Sequence, residues 1–292
     1  MSVHASVRLG CERLFDDDII NLVRDRRVGL VTNHSGVDSD LRATADRLRE
    51  IDGVDLVLLF GPEHGIRGNA EDGVAIDSDV DARTGVPIIS LYGEHRQPAA
   101  ADLARLDVLL FDIQDVGVRF YTYLYTMSLS MVACAEAGVP FVVLDRPNPL
   151  GGIEVEGNVL DPEFASFVGL YPIPVRYGLT TGELARLFNE EFGIGAELHV
   201  VDMQGWRRAM LWQDTGLVWV PPSPNMPTMD TVNVYPGMCF FEGTNVSEGR
   251  GTTRPFEQVG APWIDAFDLT DRLNALKLPG AAFRPVFFRT AF

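Results

Sequence analysis

Basic residues are scarce in this sequence. Lysine and arginine together number 24 against 41 aspartates and glutamates, a net charge of −17. A nucleic-acid groove or an anionic membrane surface needs a broad positive field, so neither is expected as the main partner. Cysteine is sparse too. Cys11, Cys134 and Cys239 are odd in number and far apart, which gives neither a zinc-ligand spacing nor a disulfide framework. No window is long and apolar enough to span a membrane. The opening MSVHASVRLGCERLF lacks the apolar core of an export signal, so a cytoplasmic location is expected. G-x-G-x-x-G, G-x-S-x-G, a P-loop, H-E-x-x-H and H-x-x-E-H are all missing. With them go the usual marks of a dinucleotide site, a serine hydrolase, a nucleotidase and a zinc peptidase. No cofactor and no metal are expected. There are no internal repeats and no low-complexity tracts.

What is present is a regular alternation. Apolar runs at Arg27–Thr32, Val54–Phe60, Pro87–Leu91, Asp107–Phe111 and Pro140–Leu144 have no polar alternation, as in strands buried on both faces. Helical spacing separates them at Leu41–Ile51, Ala99–Leu106 and Arg119–Ala137, and a helix over Asp16–Arg26 precedes the first. Such alternation predicts an α/β fold, a doubly wound parallel sheet. Near residue 150 the texture changes. A helix at Gly182–Phe192 and a strand at Glu197–Val201 precede a proline-rich, irregular Val220–Pro236. A helix at Asp268–Leu276 and a strand-like Phe283–Phe292 close the chain. The expected division is residues 1–160, carrying most of the chemistry, and a smaller α+β domain over 161–292.

Each predicted parallel strand ends in polar or charged residues. They are Asn33/His34, Glu63/His64/Arg67, Tyr92/Glu94, Asp112/Gln114/Asp115 and Asp145/Arg146/Asn148. In a parallel sheet all carboxyl ends share one edge, where open α/β sheets bind ligands. Several carboxylates and few hydroxyl nucleophiles suit general acid–base work. A carboxyl in a partly desolvated cleft has a raised pKa and can protonate a leaving group, as in glycoside hydrolysis. Nearby aromatic residues suit stacking on a sugar face. Metal binding is a competing use of Asp, Glu and His, but Arg67, Arg119 and Arg146 on the same rim would oppose a cation. They better suit a carboxylate or phosphate on the substrate.

Six ordered strings carry a family resemblance: GLVTNHSGVD (Gly29–Asp38), FGPEHGIRG (Phe60–Gly68), DIQDVGVRFYTY (Asp112–Tyr123), LDRPNPLGG (Leu144–Gly152), VPPSPNMPT (Val220–Thr228) and FEGTNVSEGRGTTRPFE (Phe241–Glu257). Together they closely resemble the exo-β-N-acetylmuramidase family, glycoside hydrolase family 171. The resemblance implies a Rossmann-like N-terminal domain, a smaller C-terminal domain and a site in the cleft between them. It implies release of a non-reducing terminal N-acetylmuramic acid from peptidoglycan fragments, with a muropeptide or disaccharide as the small-molecule substrate. The substrate's own amide oxygen is a further candidate nucleophile.

Carried onto this chain, the resemblance makes Glu63 the general acid/base, with His64 beside it. Asp112 and Asp115 are candidates for the second carboxylate, and Gln114 for holding sugar hydroxyls. Arg67, Arg119, Arg146 and Arg250 are candidates for the substrate's lactyl carboxylate, or for interdomain ion pairs. Asn33, His34 and Asn148 bind hydroxyls or cap turns. Tyr121 and Tyr123 stack, donate or pack in the core. Glu242, Asn245 and Thr253 are the C-terminal domain's expected share. Family members run on past a strand like FRPVFFRT, so a shortened form is expected from an end at Phe292. A non-catalytic muropeptide sensor and a metal-dependent hydrolase are the competing readings.

Overall fold

Val28–Thr32 are buried on both faces, and the same holds for every residue of Val108–Asp112 and of Phe141–Leu144. These continuous apolar runs form the centre of a parallel sheet. The computed structural model describes residues 7–62, 65–67, 79–93 and 95–289. Its strands are β1 (Arg26–Thr32), β2 (Val54–Gly61), β3 (Asp79–Val80), β4 (Pro87–Ser90), β5 (Val108–Asp112), β6 (Phe141–Leu144), β7 (Glu156–Val159), β8 (Pro174–Arg176) and β9 (Leu198–Val201). The helices are α1 (Gly10–Arg13), α2 (Thr44–Glu50), α3 (Ala100–Leu103), α4 (Tyr123–Ala137), α5 (Thr181–Glu191), α6 (Met229–Met238) and α7 (Ala266–Ala275).

The main sheet has the order β3-β4-β2-β1-β5-β6-β9. Six of its strands are parallel, and only the short β3 runs antiparallel, against β4. The chain builds outward from β1 to β2 and β4, then returns to β1's other side for β5, β6 and β9. The winding therefore reverses between β1 and β5, and a ligand crevice belongs at the carboxyl ends there. This is the Rossmann-like doubly wound sheet that the alternation predicted.

Four expectations change. The helix expected over Asp16–Arg26 is only a 3₁₀ turn at Ile20–Leu22, because the chain reverses at Asp25 (φ +56°) to enter β1. The helix expected from Arg119 starts at Tyr123. Val118 bridges Arg176 and the Arg119 N–H donates to the Val175 carbonyl at 2.8 Å, which draws those residues into pairing with β8. The proline-rich stretch expected to be irregular holds α6, whose N-terminal N–H of Thr231 is accepted by the Thr228 hydroxyl. Over Phe283–Arg289 there is no strand among the described residues.

The first compact unit runs through Ser223 rather than to residue 160, and the second is Pro224–Phe292. The reason is β9, which pairs with β6 from Phe141↔Leu198 to Leu144↔Val201 and returns the chain to the first sheet after the β7–β8 hairpin. α5 precedes it, started by a reciprocal capping box between Thr180 and Glu183.

Gly10 shows how tightly α1 seats against this sheet. Its N–H donates to the Asp145 carbonyl at 3.0 Å, and a Cβ there would lie 2.3 Å from the Asp145 nitrogen and 2.5 Å from the Val201 oxygen. Both neighbours are backbone and cannot step aside. Gly10→Ala is expected to lower stability by about 1–3 kcal/mol, the usual range for overpacking, read as a reduced urea midpoint at unchanged slope.

Candidate active site

At the switch between β1 and β5 the rim loops are stapled to one another by side chains. The Asn33 carbonyl oxygen accepts from the Ser35 N–H (2.9 Å) and hydroxyl (2.6 Å), while its amide donates to the Pro222 carbonyl (3.1 Å). Ser35 Oγ in turn accepts the Gln114 N–H at 3.0 Å. The Gln114 amide donates to the carbonyls of Asp115 (2.8 Å) and Pro147 (2.9 Å). Asn148 donates to the Leu179 carbonyl and accepts the Leu150 N–H, both at 3.0 Å. Asn33, Gln114 and Asn148 hold the rim loops together, Asn33 and Asn148 through turn-capping bonds that were one of their two expected roles, and all three are buried. Gly117 belongs to the same packing. It has φ +80°, and a Cβ would lie 2.3 Å from Asn148 Oδ1.

Asp112 and Arg146 form a buried ion pair beneath these loops. Arg146 Nε donates to Asp112 Oδ1 at 2.6 Å and Nη2 to Oδ2 at 3.0 Å. The Thr44 hydroxyl at the start of α2 donates to Asp112 Oδ2 at 2.6 Å, and Arg146 Nη2 also reaches the Val37 carbonyl at 2.8 Å. Asp112 is 0% exposed. Burial alone would lower the Arg146 guanidinium, but the adjacent Asp112 carboxylate raises it above its ordinary value. With both oxygens engaged and no exposure, Asp112 is held as the counterion of Arg146. Arg146 is likewise engaged by Asp112 and the Val37 carbonyl. Thr44, which the sequence pattern did not single out, completes the pair.

Two other rim carboxyls titrate unusually. Burial pushes Asp115 up to about 6 and Asp145 up to about 6, against 3.8 for a free carboxyl. Asp145 is held by the N–H groups of Gly182 (2.7 Å) and Arg146 (3.0 Å) and by the Thr180 hydroxyl (3.2 Å), so it ties β6 to the start of α5. Asp115 Oδ2 accepts the Gly117 N–H at 2.8 Å and the Tyr177 hydroxyl, while its buried Oδ1 has no hydrogen-bond partner among the described residues. Below pH 4 Asp115 is protonated in both the folded and unfolded chain. Between about pH 4 and 6 only the unfolded chain releases the proton, so the folded state loses stability as pH rises and the loss is complete above 6. Asp115→Asn removes this dependence. Its stability relative to the wild type is expected to climb from pH 4 to 6 and then level off, as read from urea unfolding across that range.

The remaining rim candidates divide. Arg67 binds Asp81 through Nε (2.9 Å) and Nη2 (2.8 Å) and reaches Asp46 at 3.1 Å. Arg119 is buried, donates to the carbonyls of Asn158 (2.6 Å) and Ile173 (2.7 Å), and has no ion pair among the described residues. Burial lowers its guanidinium below the ordinary value. It anchors the β7–β8 hairpin to the rim. His34 Nε2 meets the Pro221 carbonyl at 2.6 Å. Tyr123 donates to the Pro222 carbonyl at 2.9 Å, and Tyr121 packs edge-on against it at 4.9 Å between ring centroids. Both tyrosines are buried, as core packing requires. Glu63, His64 and Glu94 lie outside the described residues. Tyr177, the partner of Asp115, was missed because it stands outside every strand-end cluster.

In the second unit Arg250 pairs with Glu242 and with Glu248 (3.3 Å) and lies over the Phe256 ring. Asn245 and Thr253 are exposed.

A doubly wound parallel sheet with carboxylates and arginines gathered on its carboxyl rim, followed by a smaller separate unit, defines a Rossmann-like α/β protein built around a strand-end site. Residues 28–230 match the family described as exo-beta-N-acetylmuramidase NamZ, N-terminal, and residues 233–292 match its C-terminal counterpart. The chain belongs to the exo-beta-N-acetylmuramidase NamZ family. It is 52% identical over 286 residues to the peptidoglycan beta-N-acetylmuramidase NamZ of Bacillus subtilis, covering 98% of this chain and 69% of that protein. Two crystal structures of DUF1343 family proteins from Bacteroides fragilis share the fold. One has a TM-score of 0.91 at 43% identity, covering 99% of this chain and 74% of the other. The second has a TM-score of 0.75 at 38% identity, covering 88% and 67%.

Proposed function

We infer that this chain is an exo-acting glycosidase that releases a non-reducing terminal N-acetylmuramic acid from peptidoglycan fragments by carboxyl general acid/base catalysis. The observation that carries this reading is the match to both family halves over nearly the whole chain, on a sheet whose carboxyl edge gathers the polar residues. Glu63 is the proposed acid/base, with His64 beside it. In the sequence Glu63 follows Gly61-Pro62, and Gly61 is the last residue of β2, the strand next to the central β1. The engagement of Asp112 and Asp145 in fixed hydrogen bonds supports this choice by elimination. Asp115, raised to about 6 by burial, is the proposed second carboxyl, since a group poised there can exist in either protonation state near neutrality.

The test is hydrolysis of a chromogenic N-acetylmuramic acid glycoside beside its N-acetylglucosamine counterpart. Release from the first, and much slower release from the second, is expected. Release from neither by folded protein would overturn the reading.

A further inference from the structure

We propose that a cavity between α2 and the carboxyl ends of β1 and β2 is the subsite for the substrate's carboxylate, read by Arg42 and Arg83 over a base set by Arg67. The inference rests on the muramic acid reading of the substrate, because the lactyl carboxylate is what separates that sugar from N-acetylglucosamine. The cavity measures about 340 Å³, and its wall includes Asn33, His34, Arg42, Asp46, Arg67 and Arg83. Three guanidiniums around one cavity stand out in a chain with 24 basic residues against 41 acidic ones.

The arginines differ in how fully they are engaged. Arg67 is the fixed one: Asp81, itself 3% exposed, takes its Nε and Nη2, and Asp46 takes Nη2 as well. Arg83 touches Asp46 through Nε alone, at 2.7 Å, and its side chain is 70% exposed. Arg42 touches Glu50 through Nη2 alone, at 2.6 Å, and is 54% exposed. Each therefore keeps N–H groups that no other described residue engages, on side chains long enough to swing over the cavity. Asp46 sits between Arg67 and Arg83 and holds both at the wall. A planar carboxylate entering here meets donors in the fork geometry that guanidinium offers. Two other rim arginines are engaged elsewhere. Arg146 is locked on Asp112 and Arg119 on the hairpin carbonyls.

The test compares the chromogenic N-acetylmuramic acid glycoside with its methyl ester, which removes the charge and adds one methyl group. The wild type is expected to favour the acid in kcat/KM by about tenfold or more, the contribution of one charge-assisted hydrogen bond. That ratio should fall toward one in Arg83→Gln and in Arg42→Gln, mainly through KM. Two separate surface variants guard against misfolding in either. Equal cleavage of acid and ester by the wild type would overturn the proposal, as would variants that slow both substrates alike. Calorimetric binding of free N-acetylmuramic acid, N-acetylglucosamine and N-acetylglucosamine 6-phosphate separates this claim from the enzymatic one. Selective binding of the first, weakened in Arg83→Gln, would support the subsite even where no glycoside is cleaved. Equal binding of the phosphate sugar would reassign the cavity to a phosphate and overturn the carboxylate reading.

Discussion

Replacing Arg146 with methionine is expected to remove on the order of 3–5 kcal/mol of folding stability, the usual effect of leaving one member of a buried ion pair alone. Asp112 is 0% exposed and Arg146 3%. Without the guanidinium, the carboxylate keeps only the Thr44 hydroxyl, and the Val37 carbonyl keeps only the Cys11 thiol as a donor. The folded state then either holds an uncompensated charge or takes up a proton, and both are unfavourable near neutral pH. A second exchange, Asp112→Leu on the Arg146→Met background, removes the stranded charge and should recover much of the loss. Two apolar side chains often replace a buried pair at little net change. Urea denaturation of the wild type, both single variants and the double variant at pH 7 measures the coupling. A loss below about 1 kcal/mol in Arg146→Met would place the pair among weakly contributing surface-type bridges.

The largest expected effect on activity comes from Glu63→Gln. The amide has nearly the shape of the carboxylic acid but delivers no proton, and general acid catalysis contributes about 10²–10⁴-fold. A loss of that size is expected at an unchanged melting temperature. It should also depend on the leaving group. A disaccharide, whose departing sugar hydroxyl needs a proton, should be slowed far more than a nitrophenyl glycoside, whose leaving group departs as an anion. Equal losses on both substrates would point to a role other than proton donation. Near-normal turnover on the disaccharide would shift the acid to another carboxyl, with Asp115→Asn as the next measurement.

Much of this architecture is legible in the sequence because a buried parallel strand has an unambiguous local pattern. RVGLVT, DVLLF and FVVL are apolar at every other position and in between, and they form β1, β5 and β6 within a residue of the expected bounds. Helix starts are less legible where long-range pairing competes. Arg119–Thr122 have the composition of a helix, yet hydrogen bonds to β8, more than 50 residues later, take that stretch first. α6 was hidden because prolines at 221, 222, 224 and 227 mask a helix that begins only at Met229. The end of the first unit was hidden for a related reason. A change of texture near residue 150 marks the β7–β8 hairpin, not the end of the sheet, since β9 still has to return to β6.

By itself the sequence determined the doubly wound sheet, the edge on which its polar residues collect and the family to which its strings belong. These follow from patterns that a few neighbouring residues carry, because burial on both faces selects local composition and strand polarity is set by connection length. Only the tertiary structure decided which neighbours the described rim residues engage. Asp112, Asp115 and Asp145 look alike in a string, but one is a counterion, one is half-satisfied beside Tyr177 and one ties a strand to a helix. Likewise Arg146 and Arg67 are engaged by aspartates, while Arg42 and Arg83, unremarked in the sequence, keep donors that no other described residue engages beside a cavity. The difference is physical. A side chain's role depends on its desolvation and on which charges lie within a few ångströms, and those neighbours come from segments tens of residues apart.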